Sequence, residues 1–123
     1  VPSELIVVDT VGEEKSDGSL AIAKEYTEHV VPFVWCDDYA AARNAGLQVA
    51  KGDWFLYLDD DEWFENTEEL QKFFCSGDYL EYSSATYQVR NYVDTDGKQY
   101  RTETVGRVVK NRKNTILGIN KLL

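Results

Sequence analysis

Three short apolar runs, each followed by a helical pattern or a polar loop, precede two long strand-like segments joined at an Asp-Gly turn. That order predicts an α/β fold, with a mostly parallel sheet and an antiparallel hairpin annex. The chain has 123 residues, the length of one compact domain, and residues 1–123 are read as a single domain.

Each element follows from local pattern. Leu5-Ile6-Val7-Val8 is continuously apolar, as expected of a strand buried on both faces, and it ends at Asp9-Thr10. A polar loop from Val11 to Ser16 leads to Asp17-Gly18-Ser19, which opens a helix with Leu20, Ile22, Ala23 and Tyr26 on its apolar side. Asp17 suits the N-cap of that helix. Val30 to Trp35 reads as a second strand, with Pro32 marking an edge position. Tyr39 to Ala50 is an alanine-rich helix closed by Lys51-Gly52. Trp54 to Leu58 is a third apolar strand running straight into Asp59-Asp60-Asp61-Glu62. Asn66 with Glu69 resembles a capping box for a helix reaching Phe74. Tyr82 to Val93 and Gln99 to Lys110 pair across Asp96-Gly97, and a last short strand covers Thr115 to Ile119.

Composition excludes several functions. Lys plus Arg is 13 and Asp plus Glu is 22, a net charge of −9, which argues against a nucleic-acid face because phosphate backbones demand a basic surface. No run approaches the roughly eighteen apolar residues of a transmembrane helix. No basic-then-apolar leader opens the chain, so a cytoplasmic location is expected. The chain starts at Val1 and contains no Met, so it reads as a processed product or a fragment. Cys36 and Cys75 lack metal-ligand spacing and are expected to be unpaired thiols packed like small hydrophobes; a lone histidine, His29, cannot complete a zinc site with them.

In open α/β sheets ligands bind beyond the carboxyl ends of the strands, and two strands here end in acid, at Asp9 and at Asp59-Asp60-Asp61. Residues two apart project to the same side of an extended chain, so Asp59 and Asp61 converge while Asp60 points away. Two hard carboxylates suit Mg²⁺ or Mn²⁺, with water and substrate phosphates as the remaining ligands. An EF-hand counted from Asp59 fails, because its fifth, sixth and twelfth positions hold Trp63, Phe64 and Leu70. A phosphohydrolase nucleophile motif of the DxDx(T/V) type also stops matching at Trp63.

Residues Leu5 to Ser19, with Val-Val-Asp-Thr and Ser-Asp-Gly-Ser, resemble the first nucleotide loop of family 2 glycosyltransferases, about three residues longer here between Gly12 and Asp17. Phe33-x-Trp35-x-Asp37-Asp38-Tyr39-x-x-Ala42-Arg43-Asn44, continuing through Gly52-Asp53-Trp54 to Leu58-Asp59-Asp60-Asp61-Glu62, is similar to one bacterial branch of that family. The branch includes transferases of lipopolysaccharide-core assembly and of glycopeptide bacteriocins, and the match covers roughly residues 4 to 75. The resemblance implies a GT-A fold, a UDP- or GDP-sugar donor, inverting transfer and a role in cell-envelope biosynthesis. It also implies that Asp9 lies against the base or ribose, that Arg43, Asn44 and Asp60 lie close to the donor, and that Asp59 and Asp61 form a DxD metal motif. Trp35, Trp54, Trp63 and Phe64 are expected mostly in the core, with Trp63 or Phe64 bordering a sugar.

The same resemblance implies an opening strand and helix before Asp9 that this chain lacks, which would leave apolar surface and favour a homo-oligomer. Gly118-Ile119-Asn120-Lys121 stands where the branch often has Gly-x-Ile-His-Glu, and no general base is assigned. The alternative to a transferase is therefore a truncated, non-catalytic module that binds nucleotide or a partner chain.

Overall fold

The computed structural model describes residues 3–112 and Leu117. The chain divides into two compact units, Val1–Asp53 with Asn111–Leu123, and Trp54–Lys110.

The first unit contains β1 (Val7–Asp9), a 3-10 turn (Glu13–Lys15), α1 (Ser19–Tyr26), β2 (Val30–Pro32) and α2 (Tyr39–Val49). β1 and β2 pair in parallel, Val7 opposite Val30 and Asp9 opposite Pro32, with α1 in the connection, as a parallel pair requires. Pro32, which has no N–H to donate, is the last residue of β2, and Phe33 N–H takes over by donating to the Asp9 carbonyl at 2.8 Å. α2 begins where the Asp38 carboxylate accepts from Ala41 N–H at 3.0 Å. It packs on β1 and buries Ala40, Ala42, Gly46 and Leu47. The apolar side expected for α1 is covered only in part: Leu20 and Ala23 are half-buried, whereas Ile22 and Tyr26 remain exposed. Asp17 accepts from both the backbone N–H and the hydroxyl of Ser19, a local turn just before α1, while Gly18 occupies the N-cap position itself.

Glu4 closes the loop after α2, its Oε2 accepting from Lys51 N–H at 2.8 Å and Gly52 N–H at 3.4 Å. The Lys51 bond is the main reason its carboxyl is held below the ordinary value, and burial opposes it. A depressed carboxyl stabilises the fold fully above its unfolded pKa, about 4.3 for Glu, and the contribution disappears as pH falls through the lower folded value. Denaturant midpoints measured from pH 6 down to pH 3 are expected to fall with acid in the wild type and to fall less in Glu4→Gln.

The second unit contains β3 (Trp54–Leu56), α3 (Glu68–Cys75), a 3-10 turn (Asp78–Glu81), β4 (Ser84–Tyr92) and β5 (Tyr100–Lys110). Its sheet runs β3-β5-β4, and both pairings are antiparallel. The sequence leads to a mostly parallel sheet with an annex; instead the hairpin's long second strand is the partner of β3, so the described pairings are mixed. The hairpin loop forms as expected around Asp96-Gly97, Gly97 taking φ 68. The Asp94 carboxylate stiffens the loop by accepting from Lys98 N–H and Gln99 N–H, each at 3.1 Å. The register shifts between Ala85 and Tyr87, whose partners are Val108 and Val105, so Gly106 and Arg107 oppose the single Thr86. Val108, only 2% exposed, is the most buried side chain of this unit. Trp54 meets Phe73, Phe74 and Tyr79 edge-on at centroid distances of 5.6, 5.7 and 6.4 Å. Asn66 accepts from Glu68 N–H at 2.8 Å at the start of α3. The strand expected over Thr115 to Ile119, and Gly118 to Lys121, lie outside the described residues apart from Leu117. Cys36 and Cys75 are free, as expected, but both are exposed rather than packed.

Candidate functional site

In the first unit the end of β1 turns sharply because Asp9 Oδ1 accepts from Val11 N–H and Gly12 N–H, both at 3.1 Å. The loop so shaped borders a shallow, open groove of about 440 Å³ lined by Thr10, Val11, Lys15, Trp35 and Tyr39. Trp35 and Tyr39 meet at 4.9 Å in an edge arrangement. Trp35 is 39% exposed, and its indole N–H donates to the Asp37 carboxylate at 3.0 Å. Asp37 adopts a left-handed backbone, φ 58, and leads directly into the Asp38 cap. One turn along α2, the Arg43 guanidinium lies 5.9 Å from the Tyr39 ring centroid. Glu13, beside Lys15, is engaged by Lys24 at 2.7 Å, and that hydrogen bond holds its carboxyl below the ordinary value. The groove thus offers two aromatic rings and the Lys15 ammonium, a set suited to a planar, anionic ligand.

Asn44, expected near a donor, is committed to the backbone of Leu117: its amide N–H₂ donates to the Leu117 carbonyl at 3.2 Å, and its oxygen accepts from Leu117 N–H at 2.8 Å.

In the second unit the acids after β3 form a tight turn in which Glu62 N–H donates to the Asp59 carbonyl at 3.1 Å. Glu62 Oε2 accepts from Asp59 N–H at 3.0 Å and also binds the Arg107 guanidinium. Arg107 lies 3.8 Å from Asp59 Oδ2, and its guanidinium sits 5.4 Å from the Tyr57 ring centroid. Burial disfavours the Arg107 charge, but the Glu62 carboxylate outweighs it and raises the guanidinium's pKa. Nearby, burial pushes the Tyr87 phenol up, opposed by Arg107. Asp60 and Asp61 are exposed, and among the described residues no ion pair holds either of them. Phe64 packs against Tyr87 at 5.4 Å, whereas Trp63 is exposed.

The residues singled out by sequence therefore separate into groups. Asp9 shapes the groove loop, Arg43 supports a groove ring, and Asp59, Asp60 and Asp61 share one turn. Lys15 and Tyr39 were not singled out, and Trp35 was expected mostly in the core. The available signal was a Trp and a Tyr four residues apart around Asp37-Asp38, just past a strand end. Arg107 carried no local signal at all.

A glycosyl transferase family 2 model matches residues 2–122. A TPR repeat-containing protein of Synechococcus elongatus is 44% identical over 75 residues, which is 56% of this chain and 18% of that protein. The chain thus spans less than a fifth of the length of that curated relative. No solved structure matches. Among the described residues no helix is long and apolar enough to cross a membrane.

Proposed function

Because the chain belongs to glycosyl transferase family 2, we propose that it is the donor-binding part of an enzyme that moves a sugar from UDP or GDP to an acceptor hydroxyl. The observation that carries this reading is the groove of Trp35, Tyr39 and Lys15 beside the Asp9 loop. A nucleoside diphosphate has a flat base for the rings and phosphates for the ammonium. Asp9 then serves mainly by shaping the loop, and Arg43 by backing Tyr39.

The acidic turn supports the second half of the reading. Among the described residues no group of three or more His, Cys, Asp or Glu side chains is placed to hold a metal by itself. A protein that presents one or two carboxylates and leaves the other positions to water and diphosphate suits Mg²⁺ or Mn²⁺. Asp61 would be the direct ligand and Asp59 its companion. A cation held there would supply positive charge to a phosphate group. In the inverting reaction the acceptor oxygen bonds to the anomeric carbon from the face opposite the diphosphate, whose bond to that carbon breaks. The acceptor proton passes to a general base. The motifs shared with the bacterial branch make cell-envelope saccharides and peptides the acceptor classes to try first, and a nucleotide-sugar donor agrees with a cytoplasmic location.

Calorimetric titration of UDP and GDP, with and without Mn²⁺, tests this on wild type and Trp35→Ala. Base–aromatic stacking contributes about 1–3 kcal/mol, so the variant is expected to bind roughly 5- to 150-fold more weakly. Binding of neither nucleotide to the wild type would overturn the proposal, and nucleotide binding without transfer to any acceptor would favour the non-catalytic module.

A further inference from the structure

The Lys15 ammonium that borders the groove is carried by a turn with few ties of its own. Glu13–Lys15 is a single 3-10 turn entered through Gly12, whose φ of 80 belongs to the left-handed region. Its backbone bonds are local: Lys15 N–H donates to the Gly12 carbonyl and Ser16 N–H to the Glu13 carbonyl, each at 3.3 Å. Asp9 shapes the loop before the turn. Ser16 shapes it after, its hydroxyl oxygen accepting from Gly18 N–H at 3.2 Å and Leu20 N–H at 3.4 Å. Among the described residues, the turn's one side-chain tie to another element is Lys24 of α1, which donates to Glu13 Oε1 at 2.7 Å. Lys15 itself is in no ion pair among the described residues. All of these residues belong to the first unit.

We propose that Glu13 and Lys24 are positioning residues for phosphate recognition: their ion pair steadies the 3-10 turn, so that the Lys15 ammonium stands at the groove ready for the diphosphate. This rests on the donor-site reading above. Binding a ligand group with a flexible lysine costs the freedom of its turn, and a turn already tethered to α1 has less freedom to lose. Both partners of the tether are exposed, Lys24 at 51% and Glu13 at 77%, so water and salt screen it. An exposed pair contributes little, and its effect on affinity is about two- to fivefold at low ionic strength. The base-binding rings do not depend on it, because Trp35 and Tyr39 lie outside the turn and meet each other at 4.9 Å.

The test uses the whole chain with UDP or GDP, whichever binds the wild type, and the matching nucleoside as the phosphate-free probe. Affinities are read by calorimetry at low salt without metal ion. Lys15→Met is expected to weaken the diphosphate about tenfold and to leave nucleoside binding unchanged. Lys24→Met and Glu13→Ala should each weaken the diphosphate about two- to fivefold, again with nucleoside binding unchanged, while Lys24→Arg stays near wild type. Those two losses shift net charge in opposite directions, so a general charge effect would move them apart. In a Lys15→Met background Lys24→Met should do nothing further, because it acts through Lys15. Wild-type diphosphate affinity in Lys24→Met, opposite effects of Lys24→Met and Glu13→Ala, or additivity with Lys15→Met would overturn the inference alone. So would equal loss of nucleoside and diphosphate binding, the mark of a merely structural pair. A wild type that binds nucleotide but is indifferent to Lys15→Met would remove the phosphate half of the donor-site reading, and this inference with it.

Discussion

On the proposed function, Asp61→Ala is expected to leave the protein as stable as the wild type, or slightly more so, while sugar transfer falls by about a hundred- to a thousandfold. The two halves of that expectation have one cause. Asp61 is exposed and, among the described residues, in no ion pair, so its removal breaks no ion pair there. It also relieves repulsion in a run of four acids, and surface changes of this kind stay within about 0.5 kcal/mol. A carboxylate that helps to neutralise a departing diphosphate acts when negative charge develops, so its loss falls on the rate. Calorimetry on the same variant should find Mn²⁺ binding weakened. Asp59→Ala serves as the contrast, because Asp59 also faces Arg107. Its loss should lower both stability and Mn²⁺ binding. Full Mn²⁺ dependence in Asp61→Ala would show that the metal ligand lies elsewhere.

Leu47→Ala is expected to produce the largest loss of stability, about 2–5 kcal/mol. Leu47 is 5% exposed on the face of α2 that packs on β1. Its buried companions on that helix are Ala40, Ala42 and Gly46, which have little volume with which to fill a cavity. A loss of that size is a large part of the 5–15 kcal/mol by which domains are stable. Urea denaturation should show a lower midpoint with an unchanged slope, and Leu47→Met, which conserves volume, should lose less than about 1.5 kcal/mol. Nucleotide binding should weaken in Leu47→Ala with the folded fraction, because Tyr39 and Arg43 ride on the same helix. A Leu47→Ala midpoint equal to the wild type would mean that α2 does not carry the core of this unit.

Much of the local architecture was legible in the residues. The apolar runs containing Val7-Val8, Val30-Val31 and Trp54-Phe55-Leu56 become strands, and the alanine-rich segment from Tyr39 becomes a helix ended near Lys51-Gly52. The hairpin forms around Asp96-Gly97, where Gly97 takes a positive φ that few other residues tolerate. These are decisions of neighbouring residues, made by backbone preference and capping. The acidic turn was legible for the same reason, as charges adjacent in sequence cannot be separated in space.

The partner of β3 was not legible. A short apolar run carries no mark of strand direction, and β5 wins because its length serves β4 and β3 together. Trp35 was expected mostly inside because an indole is apolar over most of its surface; instead its N–H is tied to the Asp37 carboxylate and the ring lines the groove. Asn44 reads as a polar helix residue open to a ligand until Leu117, 73 residues away, claims its amide. Arg107 reaches Glu62 across 45 residues, placed by a bulge that depends on the register of β4 against β5. By itself the sequence determined most of the described helices and strands, the acidic turn and the family. The tertiary structure alone decided which of those acids are already held by an arginine and which face outward, because strand register and side-chain direction depend on contacts between residues far apart in the chain.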